Sequence, residues 1–348
     1  MHWFDAHLDL ACLALNGRDM TKPVAELTEA DQGPWPPAST TLHSLAAGGV
    51  TTCLATIFTE SGGKGPEGYA EGDAASAHEA GLRQLKVYED WFERGLAHRA
   101  AFASQNPLPL GGVGEGGDKR RLAIGILMEC ADPIRSPDEL AWWVSQGVCA
   151  IGLTWGNGSR YAGGNARGEG LTDLGREMVR AMDELNVVHD LSHLSQRATD
   201  EVLELATGRV IASHSNCRSL LGGETNNWWQ RHLSDETIRE IGRRNGVVGL
   251  NLCAGFIRHD LDKAKGERPT VGEAIDHVGR VCELMGRRTG VGLGSDLDGG
   301  FSADWLPRGM RTPSDLVLLT DELKRRGWSD EECAGFAHGN WEGFWGTD

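Results

Sequence analysis

The sequence predicts an α/β fold, a (β/α)8 barrel of the TIM type, and three observations predict it. Short apolar segments recur eight times along the 348 residues. Most are followed by a stretch with helical periodicity, the alternation that builds a parallel sheet with its helices outside. Glycine is frequent, 48 in total, as suits a chain with many tight turns between strand and helix.

The eight segments read Trp3 to Leu10, Val50 to Phe58, Leu122 to Met128, Cys149 to Thr154, Val187 to Leu191, Val210 to Ala212, Val247 to Leu252 and Val291 to Leu293. Helix starts are marked between them. Ser136-Pro137-Asp138-Glu139 offers a capping serine, a proline at the first helical position and a glutamate able to reach back. Thr270 with Glu273, and Ser329 with Glu332, repeat that form, and Thr172 opens an amphipathic helix over Asp173 to Leu185. Gly72 to Ser104 reads as one long helix with Gly81 and Gly95 as weak points. The Gly-rich stretch Gly111 to Gly117 is too short to separate domains, so residues 1–348 are expected to form a single barrel domain. Thr59 to Glu71, Gly222 to Gln230 and Phe301 to Pro313 follow strands two, six and eight as mobile loops at one end of the barrel. Trp228, Trp229 and Trp305 on them read equally as substrate walls or as packing between loops.

Composition narrows the function. Hydrophobic residues at 40% supply a large core, and 24% charged residues exclude a disordered chain. A formal net charge of −16 repels phosphate backbones, which argues against nucleic acid as a partner. No stretch is apolar enough to span a membrane, and no basic-then-apolar leader opens the chain, so the expected location is cytoplasmic. The 8 cysteines are scattered singly without a C-x-x-C pair, which points to buried, reduced thiols rather than a structural zinc knuckle.

Metal-grade side chains stand where strands end. Strand one ends in Asp5-Ala6-His7-Leu8-Asp9, where simple alternation puts Asp5, His7 and Asp9 on one face. Strand three ends in Glu129, strand five runs on to His193, strand six to His214 and strand eight to Asp296. Each fragment alone is weak. A barrel, however, closes all five strand ends around one mouth. Imidazole and carboxylate donors without thiolates suit zinc. His7, Asp9, Glu129, His193 and His214 are more donors than one open catalytic ion needs, and two ions sharing a carboxylate use them all. No lysine ends a predicted strand, so Glu129 is the natural bridge. Asp5, His189, Asp190 and Asp298 read as supporting residues rather than ligands.

These pieces resemble the membrane (renal) dipeptidases, zinc metallopeptidases of the amidohydrolase superfamily. The resemblance runs through Asp5 to Asp9, the Glu129 strand, Gly152-Leu153-Thr154, Gly170 to Ser195, Ile211 to Leu220, Arg231 to Ser234, Gly292 to Gly299 and Gly339-Asn340, in order along the chain. It implies a metal-dependent hydrolase barrel holding two Zn2+ ions bridged by Glu129 and a water or hydroxide. His7, Asp9 and Glu129 would hold one ion, and Glu129, His193 and His214 the other. It further implies Asp296 as catalytic acid/base, Arg231 as the grip on a substrate carboxylate, small dipeptide-like substrates including those with a C-terminal D-residue, and a homodimer, which no apolar stripe in the sequence demands. The chain departs from the pattern at Trp155, where the family carries a carbonyl-polarising histidine. The Trp155 indole N–H, Asn157 or Asn165 are candidates to replace it. The departure keeps open another amidohydrolase reaction on the same centre, on an N-acyl amino acid or a lactone.

Overall fold

The computed structural model describes residues 1–102, 121–223 and 228–346. The Gly111 to Gly117 stretch, the end of the 72–104 segment and part of the 222–230 loop fall outside them. Among the described residues eight parallel strands form the barrel: β1 (Trp3–Leu8), β2 (Val50–Phe58), β3 (Leu122–Glu129), β4 (Val148–Gly152), β5 (Val188–Asp190), β6 (Val210–Ile211), β7 (Val248–Leu250) and β8 (Val291–Leu293). Neighbours pair in chain order from β1 to β6, β8 pairs with both β1 and β7, and a single Ala212–Val248 bridge links β6 to β7. The barrel is thus nearly closed, and its strands match the eight expected segments to within a residue or two.

Two differences from the sequence reading have clear causes. The expected long helix stops at Glu93, and Ala97–Arg99 forms a short parallel strand on the first half of β3. Gly95, at φ 65°, turns the chain out of the helix there. The alternation expected in β1 also breaks. Asp5 pairs with Cys53 and Leu8 with Ala55, so three steps on β1 match two on β2. That bulge separates Asp5 from His7. Asp5 accepts hydrogen bonds from the Ser295 backbone and hydroxyl, while His7 turns to the mouth.

Helix ends follow the caps for the most part. Thr172, Ser195 and Ser234 each accept a backbone N–H three residues on, and Thr270–Glu273 and Ser329–Glu332 form reciprocal capping boxes. Such caps stabilise a helix by about 1 kcal/mol each. Ser136 makes no side-chain cap: the Glu139 backbone N–H goes to the Ser136 carbonyl, and the Glu139 carboxylate accepts from the Arg135 backbone and guanidinium.

Two apolar layers hold the barrel. One lies between strands and helices. The other joins Phe4, Leu54, Leu127, Ala150, Val188 and Ile211 to Trp341 and Trp345 of the last helix, Asn340–Trp345. Trp341 stacks on Phe4 and donates its indole N–H to the Leu293 carbonyl at 2.9 Å. A side chain at Gly292 would collide with that indole at 2.4 Å. Trp341 is therefore the packed floor under the mouth. Trp341→Ala is expected to cost about 3–5 kcal/mol in urea unfolding, the usual scale for emptying a buried aromatic site; a loss below about 1 kcal/mol would show that the floor does not depend on it.

Candidate metal centre

The mouth gathers the predicted donors. Two triads, His7 with Asp9 and Glu129, and Glu129 with His193 and His214, each keep their ligand atoms within 4.8 Å of one another. Glu129 belongs to both, and its two oxygens face different partners. Oε2 lies 3.2 Å from His7 Nε2, whereas Oε1 lies 3.0 Å from His193 Nε2 and 3.7 Å from His214 Nε2. Asp9 Oδ1 stands 3.8 Å from His7 Nε2 and accepts the Thr56 hydroxyl. A third triad, His7, His214 and Asp296, overlaps the first two. All six residues are buried or nearly so.

Backbone shape aims these groups. His193 and Asp296 adopt φ of 66° and 59°, and Cys130 and Asp298, next to the site residues, 74° and 64°. Positive φ is uncommon outside glycine and clusters at functional sites. Two glycines let the strand ends close up, since a Cβ at Gly249 or Gly294 would lie 1.8 Å from the Ser213 carbonyl oxygen. Asp298 pairs with buried Arg18 and accepts the Thr40 backbone N–H, which ties the 18–40 segment to the Asp296 turn.

The donors fit a metal on five counts. Atoms bound to one zinc at about 2.0–2.2 Å lie roughly 3–3.5 Å apart, and the contacts above bracket that range. His193 Nε2 and His214 Nε2 point at each other across 2.9 Å, a contact that needs a proton or a cation between them. His7 Nε2, fully buried, has no hydrogen-bond partner among the described residues. Burial also holds His193 and His214 well below the ordinary imidazole value, so both rings are neutral, the state that binds metal. Burial pushes Glu129 up to about 8 against the pull of Arg231, and raises Asp9 and Asp296 as well. Three buried carboxylates beside one guanidinium leave a deficit of positive charge that divalent ions would supply.

The remaining predicted residues sit as follows. Asp296 accepts the Asn251 side-chain amide at 2.9 Å. Arg231 is buried, donating Nη1 to Ser215 Oγ at 3.0 Å and Nη2 to the His214 carbonyl at 2.9 Å, with its Nε unpartnered among the described residues. It makes no ion pair with Asp235 or Glu236, which engage Arg280 and Arg239. The Trp155 ring lies 5.8 Å from the His193 ring and packs edge-on against Phe58. Asn165 touches the cluster, its Oδ1 lying 3.2 Å from His193 Nδ1. Trp229 and Trp305 stack under Arg218 and Lys263, while Trp228 is exposed. Sequence reading passed over Ser213, Asn251 and the role of Asn165; adjacency to His214 was the only signal for Ser213. A further triad, His2, His338 and Glu342, lies at the opposite end of the barrel, where the carboxylate already bonds both imidazoles. All eight cysteines are free and all but Cys282 are buried. Among the described residues no helix is long and apolar enough to cross a membrane.

Comparison with known proteins agrees with this fold. Dipeptidase 3 of Rattus norvegicus is 29% identical over 171 residues, 49% of this chain and 32% of that protein. The chain thus covers about a third of that curated relative's length. Among solved structures, the metallopeptidase dipeptidase AC superposes with a TM-score of 0.78 at 23% identity, covering 100% of this chain and 99% of that one. A metallopeptidase of Rhodobacter sphaeroides, bound to a phosphinate mimic of the dipeptide L-Ala-D-Ala, gives 0.78 at 22% identity, covering 99% of each. These two likenesses establish the shared barrel. The family model for membrane dipeptidase (peptidase family M19) matches residues 1–345, and the chain belongs to that family.

Proposed function

We propose that the protein is a binuclear zinc dipeptidase that hydrolyses the amide bond of small dipeptides, including those with a C-terminal D-residue. The observation that carries this reading is the sharing of Glu129 between two donor triads in a buried cluster that also holds Asp296 and Arg231. Family membership supports it, and the dipeptide mimic held by the Rhodobacter sphaeroides relative supports the substrate class.

His7, Asp9 and Glu129 would hold one ion, and Glu129, His193 and His214 the other. When bound, such ions polarise a carbonyl and make water acidic enough to attack at neutral pH. The chain's own residues do the rest. Asp296 is buried, fixed at one oxygen by Asn251, and holds a proton more readily than an exposed carboxylate. It takes the proton of the attacking water and returns it to the leaving amine. Arg231 has its guanidinium desolvated beside the cluster, with hydrogen-bonding capacity left for a terminal carboxylate. Trp155 forms an apolar wall beside His193. That wall favours a second reading, an N-acyl amino acid amidohydrolase or lactonase on the same centre, because a neutral indole stands where a substrate's free amine or carbonyl would otherwise meet a histidine. Comparing free with N-acylated dipeptides separates the two. The substrate is a small molecule in either reading, and a cytoplasmic homodimer remains part of the proposal.

Three replacements test the assignments. Glu129→Gln removes the shared anion, so metal analysis after gel filtration should show at least one ion lost; retention of both would end the bridging role. Asp296→Asn should keep the fold and most of the metal while lowering turnover about 10²-fold or more, the usual scale of acid–base help. Near-normal turnover would exclude Asp296 as proton carrier. Arg231→Met should lower kcat/KM on free dipeptides by about 1.5–3 kcal/mol, the worth of a charged hydrogen bond. That loss should largely vanish on C-terminally amidated substrates; an equal loss on both would mean Arg231 is structural.

A further inference from the structure

One hydroxyl lies beneath both halves of the cluster. The His7 and His214 rings stack with centroids 3.5 Å apart, and the Nδ1 atoms of both reach Ser213 Oγ, at 3.3 and 2.8 Å. Ser213 Oγ also lies 2.5 Å from Asp190 Oδ2. The other Asp190 oxygen already takes the backbone N–H groups of Ser192 and Ser213, at 3.1 and 2.8 Å.

A serine hydroxyl has one proton to donate and two lone pairs to accept with. Its shortest contact is to a carboxylate, and charge-assisted bonds are the stronger ones, so the proton goes to Asp190. The competing acceptor, Ser192 Oγ, is neutral and 3.4 Å away. Both lone pairs then face imidazole nitrogens, and each ring must donate from Nδ1. A neutral imidazole protonated at Nδ1 carries its free lone pair on Nε2, the atom that each ring turns toward Glu129. His193 has its own partner at Nδ1, Asn165, and without an ion it is the ring left to carry the proton between its Nε2 and that of His214.

We propose that Ser213, oriented by Asp190, is a shared positioning residue that fixes the tautomer of one ligand in each donor triad, so that a single hydroxyl couples the two ion sites. This rests on the metal reading above. It does not follow from the ligand set, since each histidine could have had its own partner, as His193 does. It predicts that one small change outside the ligand shell weakens both ions together.

The test has a metal-free arm and a metal arm. Long-range 1H–15N spectra of histidine-labelled, metal-free protein, assigned by single histidine replacements, should show His7 and His214 protonated at Nδ1 and bare at Nε2. Finding Nε2–H on either ring overturns the proposal. In competition titrations Ser213→Ala should weaken both ions about 10- to 100-fold, the usual effect of losing a hydrogen-bond partner of a ligand, while Ser213→Thr, which keeps the hydroxyl, stays closer to wild type. Asp190→Asn should present an amide N–H to Ser213, reverse the hydroxyl and place a proton on Nε2 of one ring, a state the same spectra read directly. Loss of one ion only, or lower thermal stability with unchanged affinities, would make Ser213 merely structural and overturn the coupling. If Ser213→Ala does not fold, the wild-type spectrum still decides the tautomers. If the wild type binds no metal while the spectrum is as expected, the metal reading fails and the hydrogen-bond assignment stands.

Discussion

The buried Glu129 carboxylate is the constraint around which the mouth is organised. It is 4% exposed, with imidazole nitrogens on both of its oxygens and Asp9 alongside. A carboxylate taken out of water costs several kcal/mol unless partners compensate, and here its neighbours include two further buried carboxylates. Neutral imidazoles do not offset that charge, and Arg231 is engaged with Ser215 and the His214 carbonyl rather than paired to Glu129. Cations between the donors are the economical solution, and the contact distances leave room for them.

The fold holds this unfavourable arrangement by rigidity below and around it. Apolar side chains fill the barrel down to the Trp341 floor. Above them comes a polar layer in which Asp190, Ser213 and Ser192 satisfy one another. The donors sit above that layer. Positive φ at His193 and Asp296 and the β1 bulge at His7 are local costs of aiming three site residues inward. The Arg18–Asp298 pair and the close approach at Gly249 and Gly294 keep the strand ends from relaxing.

Much of this was legible in the sequence, for a physical reason. Donors placed at strand ends need no knowledge of angles, because barrel closure alone brings Glu129, His193, His214 and Asp296 to one rim. The eight strands were legible because each is a buried apolar run. The Ala97–Arg99 strand was not, since three residues carry no periodicity and the neighbouring sequence favours helix. The β1 bulge was hidden because its cause is pairing with β2, so alternation wrongly grouped Asp5 with His7. Asn251 and the contact of Asn165 with His193 were obscure for a similar reason: a side-chain amide reads as a loop residue until the fold shows which atom it faces. Arg231 was located by the family resemblance, but its burial and its freedom from Asp235 and Glu236 required the structure.

Two ions around one shared carboxylate are what the donors of this mouth are arranged to hold. Zinc titration of chelator-stripped wild-type protein, followed by calorimetry and by elemental analysis of the gel-filtered product, tests it most directly. Two ions per chain are expected. One tightly bound ion at saturation, or none, would contradict this.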